Sequence, residues 1–105
     1  MIESDSRNST VSGTAGNDLI FDSGGNNSIM GGGGHDTIVT DSGNDSIEGG
    51  DGDDWIDAGD GKNKVSGGAG NDTVTTGSGA DAIDGGPGAD TCNAGGGKNS
   101  VTSCP

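Results

Sequence analysis

The chain has 105 residues, a formal net charge of −13 and only 25% hydrophobic residues, so it forms one domain at most and lacks the apolar material of an ordinary globular core. Its 25 glycines would by themselves suggest disorder. So acidic a chain repels nucleic acid and anionic membranes, and it has no apolar run long enough for membrane insertion. We therefore expect its charged partner to be a cation.

A nine-residue unit repeats eleven times in one frame between Ser4 and Thr102. All 25 glycines fall in the first four positions of the unit, position 4 is Gly in ten units, and position 8 is aliphatic in ten. Position 6 is Asp in seven units and Asn in three. An unbroken frame of this kind predicts that each unit stacks on similar neighbours, as in solenoid proteins.

Residues 1–12 contain an imperfect unit, with Arg7 at position 4 and Ser9 at position 6, and we expect them to form a degenerate N-terminal cap. In residues 13–102, positions 1 to 6 predict a glycine-rich turn. Positions 7 to 9 predict a three-residue strand whose central side chain points inward. Two units then make an 18-residue coil. About five such coils predict an all-β solenoid with two short parallel sheets, whose core is filled by the position-8 side chains.

The two edges of this solenoid differ in chemistry. The turns of the units that begin at residues 13, 31, 49, 67 and 85 are called the even edge. The turns of the units that begin at residues 22, 40, 58, 76 and 94 are called the odd edge. Position 1 is always Gly on the even edge and never on the odd edge. At position 6 the even edge carries Asp18, Asp36, Asp54, Asp72 and Asp90, and the odd edge carries Asn27, Asp45, Asn63, Asp81 and Asn99.

Residues 103–105 follow the last unit, and we expect them to form a C-terminal cap. Cys104 falls where a twelfth unit would stack beside the tenth, which contains Cys92. This placement predicts a Cys92–Cys104 disulfide and, with it, an oxidising compartment. The alternative is two free thiols, with Cys92 as a small apolar core residue.

The unit Gly-Gly-x-Gly-x-Asp-x-(aliphatic)-x, clearest at 49–57 and 67–75, resembles the nonapeptide of the repeats-in-toxin (RTX) family of calcium-binding proteins. The resemblance implies a right-handed parallel β-roll in which Ca²⁺ lies between stacked turns, held by position-6 side chains and turn carbonyls. It implies about four ions on the even edge and up to roughly nine in total if the odd edge, which departs from the pattern, also loads. The implied ligands are the position-6 residues of both edges and the turn residues Gly31, Gly33, Gly49, Asp51, Gly67, Ala69, Gly85 and Pro87.

Calcium would also compensate for a weak interior. Each unit contributes one inward aliphatic side chain, while the carboxylates of the even edge would stack about 5 Å apart and repel one another. We therefore predict a chain that is disordered without calcium and folds when it binds the ion. Its expected function is that of a calcium-binding structural module in a secreted or cell-surface, hence extracellular, protein.

Ice binding is the alternative function, because some β-solenoids present regular arrays of Thr or Asn. Position 5 carries Asn in five units, but His35 and Lys62 interrupt the array. We do not expect an enzyme, because His35, the only histidine, has no fixed nucleophile partner and is expected to be merely solvated. Lys62 and Lys98 each precede an Asn of the odd edge, where they either replace the charge of an ion or are ordinary surface residues.

Several apolar side chains occupy outward strand positions of the predicted even sheet. Leu19, Phe21, Val39 and Trp55 suggest a contact with another protein or with a second copy of the chain. The alternative is that N-terminal residues fold over them as a cap.

Overall fold

The structure, a computed structural model, describes residues 10–104 and the backbone of residues 2–4. The predictions for Arg7 and Ser9 lie outside the described residues. Every strand from β2 onward begins at position 7 of its unit, as the repeat predicts. The strands are β1 Ile2–Ser4, β2 Thr10–Ser12, β3 Leu19–Asp22, β4 Ser28–Met30, β5 Thr37–Thr40, β6 Ser46–Glu48, β7 Trp55–Asp57, β8 Lys64–Ser66, β9 Thr73–Thr75, β10 Ala82–Asp84, β11 Thr91–Asn93 and β12 Ser100–Thr102.

The strands form two six-stranded parallel sheets, β1-β3-β5-β7-β9-β11 and β2-β4-β6-β8-β10-β12. Partners in a sheet are 18 residues apart, so Ile20 lies beside Ile38 and Ile56 beside Val74. The predicted all-β solenoid with 18-residue coils is thus confirmed. Strand β1 also pairs with β3, so strand pairing begins within the segment that we expected to be a cap. The boundaries proposed for the caps and the roll remain predictions.

The core is a double row of position-8 side chains between the sheets. Nine of them are buried, and Ala58, from position 1 of the odd edge, adds a tenth buried apolar side chain. The prediction that Val101 fills the core is wrong, since its side chain is 43% exposed. It lies on β12, which has a neighbouring strand on one side only. The buried position-8 residues are Val11, Ile20, Ile29, Ile38, Ile47, Ile56, Val65, Val74 and Ile83.

Glycine allows the turns to stack backbone against backbone. Gly50 and Gly52 have φ angles of 88° and 101°, which residues with a Cβ rarely adopt. A Cβ at either position would also collide with a carbonyl oxygen of the preceding coil, that of Gly32 or Gly34. The tight spacing of the turn carbonyls therefore depends on these glycines.

The C-terminal end of the core is closed by the predicted disulfide between Cys92 and Cys104, whose Cα atoms lie 5.9 Å apart. Both cysteines are partly buried against the core, together with Ala94. Ser103, between Thr102 and Cys104, has a φ of 54° and is the one non-glycine residue with positive φ in the described part of the chain.

The outer face of the even sheet exposes apolar side chains, as predicted. Leu19, Phe21 and Trp55 are exposed, and Val39 is half-buried. Strand β1 lies beside β3 in this sheet and not across its face. Within the described residues there is no helix that could cross a lipid bilayer.

Candidate metal sites on the even edge

The position-6 side chains form a hydrogen-bonded ladder along each edge. In every rung, the backbone N–H of one position-6 residue donates to Oδ1 of the position-6 residue in the next coil. Asp and Asn serve equally in this role because both carry the accepting Oδ1. The donor–acceptor distances are 2.8–2.9 Å for Asp18–Asp36, Asp36–Asp54, Asp54–Asp72 and Asp72–Asp90 on the even edge, and 2.9 Å for Asn27–Asp45, Asp45–Asn63, Asn63–Asp81 and Asp81–Asn99 on the odd edge.

The second carboxylate oxygen, Oδ2, takes no part in this ladder, and we call it the leftover oxygen. On the even edge, Oδ2 of Asp36, Asp54, Asp72 and Asp90 is buried and has no hydrogen-bond partner among the described residues. Asp18 differs, because its Oδ2 accepts the backbone N–H of Thr14 at 2.6 Å and lies 3.1 Å from the Thr14 hydroxyl. A buried, unpaired carboxylate oxygen is costly unless a cation or a proton neutralises it. Four such oxygens therefore line the even edge.

Each leftover oxygen borders a space that exists only because position 1 is glycine. The point where a Cβ of Gly49 would lie is 2.7 Å from Asp54 Oδ2 and also 2.7 Å from the carbonyl oxygen of Gly67 in the next coil. At Gly31 the corresponding oxygens, Asp36 Oδ2 and the Gly49 carbonyl, are both 2.7 Å away. At Gly67, Asp72 Oδ2 is at 2.7 Å and the Gly85 carbonyl at 2.9 Å. Each space thus brings together a carboxylate oxygen of one coil and a carbonyl oxygen of the next.

Burial and mutual repulsion disturb the titration of three carboxyl groups of the even edge, Asp36, Asp54 and Asp72. Burial raises the pKa of Asp54 to about 7, the backbone N–H of Asp36 opposes the shift, and the charges of Asp72 and Asp36 add to it. Burial likewise raises the pKa of Asp72 to about 6, with a further contribution from the charge of Asp90. The pKa of Asp36 is raised for the same reason. The folded chain thus holds these three carboxylates in an environment that favours their neutralisation.

The donor set fits calcium. Calcium takes six to eight hard oxygen ligands, including carboxylates and backbone carbonyls. Within the described residues no three His, Cys, Asp or Glu side chains converge on one point, so carbonyl oxygens of the turns must complete any coordination shell. Glycine-rich turns present such carbonyls without side-chain obstruction. Zinc, which prefers nitrogen and sulfur ligands, does not fit this set.

The odd edge does not fit an ion in the same way, because its own side chains fill the corresponding places. Its position-1 residues Thr40, Ala58 and Thr76 are buried where the even edge has glycine. The Thr40 hydroxyl donates to the Ala58 carbonyl at 2.7 Å, and Asn63 Nδ2 donates to the carbonyls of Gly59 at 3.1 Å and Ala58 at 3.4 Å.

The other two asparagines of the odd edge act alike. Asn27 Nδ2 donates to the Gly24 and Gly25 carbonyls, and Asn99 Nδ2 donates to that of Gly95. Asp45 and Asp81 still keep a buried Oδ2 with no partner in the described region. Burial raises the pKa of Asp45, opposed by the Asn27 N–H and the Thr40 hydroxyl. The odd edge therefore supplies its turn carbonyls with amide and hydroxyl donors from its own side chains.

The carbonyl ligands implied by the sequence have different surroundings. The carbonyls of Gly31, Gly49, Gly67 and Gly85 lie beside an even-edge Asp of the preceding coil. Among the position-3 residues, the Pro87 carbonyl already accepts the N–H of Gly70 at 3.1 Å. Gly33 is half-buried, and Asp51 and Ala69 are exposed. The geometry therefore supports the position-1 carbonyls most directly.

Sequence reasoning missed a second ladder, formed by position 5. On the even edge, backbone N–H groups donate to the position-5 side chain of the preceding coil, and His35 Nδ1 accepts the N–H of Asp53 at 2.9 Å. The prediction that His35 is merely solvated is thus incomplete, since its exposed ring is one acceptor in a series. The frequent Asn at position 5 was the available signal. The other acceptors are Asn17 for His35, Asp53 for Asn71 and Asn71 for Ala89.

Comparison with known families agrees with this geometry. The family model described as the RTX calcium-binding nonapeptide repeat matches the chain in four copies, over residues 4–38, 30–65, 39–74 and 66–101. Together the copies span nearly the whole chain, including both ladders. No curated protein and no solved structure matches the chain.

Proposed function

We propose, since the chain belongs to the family of RTX calcium-binding nonapeptide repeats, that it is a structural β-roll that folds when calcium binds along its even edge. The observation that carries the proposal is the pairing of a buried, unpartnered Asp Oδ2 with a carbonyl oxygen of the next coil across a space lined by glycine. Asp36, Asp54 and Asp72 form three such pairs within the repeats. A bound divalent cation would neutralise the negative charge of these carboxylate oxygens.

Folding and ion binding are coupled in this proposal because the residues of a site come from two different coils. The Asp54 carboxylate and the Gly67 carbonyl are neighbours only when the coils are stacked. In the unfolded chain no preformed site exists, so binding free energy becomes folding free energy. Stacking also places Asp36, Asp54 and Asp72 next to one another, and their repulsion opposes folding until it is neutralised.

The first turn of the even edge, which contains Asp18, and the whole odd edge have a different role in this proposal. Asp18 is satisfied by Thr14, and the asparagines of the odd edge donate to turn carbonyls. These groups hold their turns with hydrogen bonds from the chain itself. We therefore assign ion loading to one edge, and we treat Lys62 and Lys98 as exposed surface residues.

The test compares matched amide variants on the two edges. Asp54→Asn keeps the Oδ1 that accepts the Asp36 N–H but replaces the leftover oxygen by an NH₂ group. Asp81→Asn makes the same change on the odd edge, where Oδ1 accepts the Asn63 N–H. We expect Asp54→Asn to bind one ion fewer and to need more calcium for folding, followed by circular dichroism and calorimetry. Asp81→Asn should bind as many ions as the wild type, and the loss of one ion in both variants would contradict the proposal.

The position-5 ladder argues against ice binding. Oδ1 of Asn17, Asn44 and Asn71 accepts a backbone N–H of the next coil, so these side chains stabilise the stack instead of presenting a regular array to ice. Exposed Leu19 and Trp55 also interrupt the threonines on the outer face of the even sheet. A thermal-hysteresis assay should therefore give no activity.

The same chemistry supports an extracellular location. The Cys92–Cys104 disulfide is typical of oxidising compartments, and extracellular calcium-binding modules typically bind the ion at about 10⁻⁴–10⁻³ M. In such surroundings the chain would act as a structural module without catalytic activity. The exposed residues Leu19, Phe21 and Trp55, together with half-buried Val39, are then the surface through which a protein or a second copy would make contact.

A further inference from the structure

We infer that the C-terminal cap completes one more calcium site, formed by Asp90 and the backbone carbonyl of Ser103 and held in place by the Cys92–Cys104 disulfide. This inference rests on the proposed function, because it assumes that the even edge binds calcium. It adds a site outside the repeat array, since Ser103 lies beyond the last nine-residue unit.

The geometry at Asp90 reproduces that of the sites within the repeats. The point where a Cβ of Gly85 would lie is 2.7 Å from Asp90 Oδ2 and 2.5 Å from the Ser103 carbonyl oxygen. Asp90 is only 4% exposed, and its Oδ2 is buried with no hydrogen-bond partner in the described part of the chain. Its Oδ1 accepts the N–H of Asp72 at 2.8 Å, as in the other rungs. Ser103 thus supplies the carbonyl that position 1 of a twelfth unit would supply.

Ser103 needs external restraint to stay in this position. Its φ of 54° lies in the left-handed region, which costs free energy for a residue with a Cβ. On one side, the Thr102 carbonyl accepts the N–H of Gly85 at 3.0 Å. On the other side, Cys104 is bonded to Cys92, two residues after Asp90. The disulfide therefore holds the segment that contains Ser103 close to the strand that follows Asp90. Without it, this C-terminal segment would be prone to fray.

The N-terminal end of the same edge shows the contrast. At Gly13, the Asp18 carboxylate and the Gly31 carbonyl have the same arrangement. There, however, the N–H and hydroxyl of Thr14 already contact Asp18 Oδ2. The even edge is thus satisfied by its own chain at the N-terminal end and open to a cation at the C-terminal end.

The experiment counts bound calcium by native mass spectrometry at saturating calcium, with circular dichroism to confirm folding. Asp90→Asn keeps the Oδ1 acceptor, as Asn99 does on the odd edge, and should bind one ion fewer than the wild type. Asp18→Asn is the matched control at the other end and should bind as many ions as the wild type. An unchanged count in Asp90→Asn would overturn the inference.

The disulfide is tested with Cys104→Ser. In the wild-type background this variant should lose one ion, and in the Asp90→Asn background it should lose no more, because both changes remove the same site. Loss of a further ion in the double variant, or no loss in the single one, would overturn the role of the disulfide. A wild type that binds no calcium would instead refute the proposed function, so the two failures are distinguishable.

Discussion

Glycine at position 1 distinguishes the two edges more sharply than the acidic residue at position 6. Both edges build the same rungs with Asp or Asn, so a carboxylate alone does not define a site. Gly49 leaves open the space beside Asp54, whereas the equivalent residues of the odd edge, such as Ala58 and Thr40, fill theirs with buried side chains. We therefore propose that the absence of one Cβ decides whether two oxygens of neighbouring coils can share an ion.

We predict that Gly49→Ala abolishes one calcium site. The added methyl group would lie 2.7 Å from both Asp54 Oδ2 and the Gly67 carbonyl oxygen, in the space that an ion needs. We expect one bound ion fewer by calorimetry and a higher calcium midpoint by circular dichroism. Gly96→Ala is the control, because a Cβ there meets nothing within 4 Å, and it should titrate like the wild type. Identical titrations of Gly49→Ala and wild type would show that the space is not used.

The second prediction concerns pH without calcium. In the fold, the pKa of Asp54 is raised from 3.8 to about 7 and that of Asp72 to about 6, so both groups bind protons more tightly when folded than when unfolded. Their contribution to stability is full below pH 3.8 and is lost as the pH rises through about 6 to 7. Lowering the pH from about 8 to about 5 in excess chelator should therefore increase β-structure, measured by circular dichroism.

A control separates these carboxyl groups from the remaining acids. Asp54→Asn removes the group with the larger shift and should weaken the pH dependence. A metal-free chain whose β-structure falls between pH 8 and pH 5 would contradict the assignment of raised pKa values.

Single residues were predictable from the sequence where the repeat treats all units alike. The carboxylates of the even edge and the core Ile residues follow from positions 6 and 8. Thr14 was not predictable, because its hydrogen bonds to Asp18 belong to the first turn only. The exposure of Val101 was also missed, because the repeat pattern contains no information on where the stack of coils ends.

In the turns of the odd edge, side chains of the chain itself contact the carbonyl oxygens that correspond to the proposed ion ligands of the even edge. The Ala58 carbonyl accepts both the Thr40 hydroxyl and the Asn63 amide. On the even edge, the equivalent Gly67 carbonyl faces the Asp54 carboxylate. The alternation of Asp and Asn, which looks like a weakened calcium pattern in the sequence, is thus a different way of holding the same turn.

This difference predicts that an ion site can be created on the odd edge. Thr40→Gly opens the space beside Asp45 and removes one donor to the Ala58 carbonyl. Asn63→Asp removes the second donor and adds a carboxylate, while its Oδ1 still accepts the Asp45 N–H. The double variant should bind one ion more than the wild type by native mass spectrometry. Asn63→Asp alone, which keeps the Thr40 side chain, should not gain an ion, and an unchanged count in the double variant would refute this explanation of the edges.

The starts of the strands from β2 onward were predictable because the frame has no insertion, although β3 and β5 each extend one residue beyond the predicted three. The hydrogen bonds between turns were not, since they depend on side-chain oxygens meeting backbone N–H groups 18 residues away. His35 illustrates this limit, because the frequent Asn at position 5 indicates an accepting side chain there but not that a histidine Nδ1 accepts the Asp53 N–H. The pattern thus predicted where the turns lie but not how each is held.

Over the whole molecule, the acidic charge and the thin core have one common consequence. Each coil contacts mainly the coils before and after it, and the core between the sheets is only a double row of aliphatic side chains, set against a formal charge of −13. Four divalent ions on one edge would reduce this charge to about −5. In the function that we propose, the solenoid would therefore depend on ions along its length and not on one stabilising centre.

The last prediction is that the whole chain expands when calcium is removed. The folded chain has a Cα radius of gyration of 12.0 Å, whereas an unfolded chain of this length has a radius of about 30 Å. Small-angle X-ray scattering should give a value near the smaller one in calcium and near the larger one in excess EGTA, with a coil spectrum by circular dichroism. Magnesium should not replace calcium, because it requires tighter octahedral geometry and gives up its water reluctantly. A compact chain with an unchanged β spectrum in EGTA would show that the core and the hydrogen-bonded ladders suffice, and that ion binding follows folding instead of driving it.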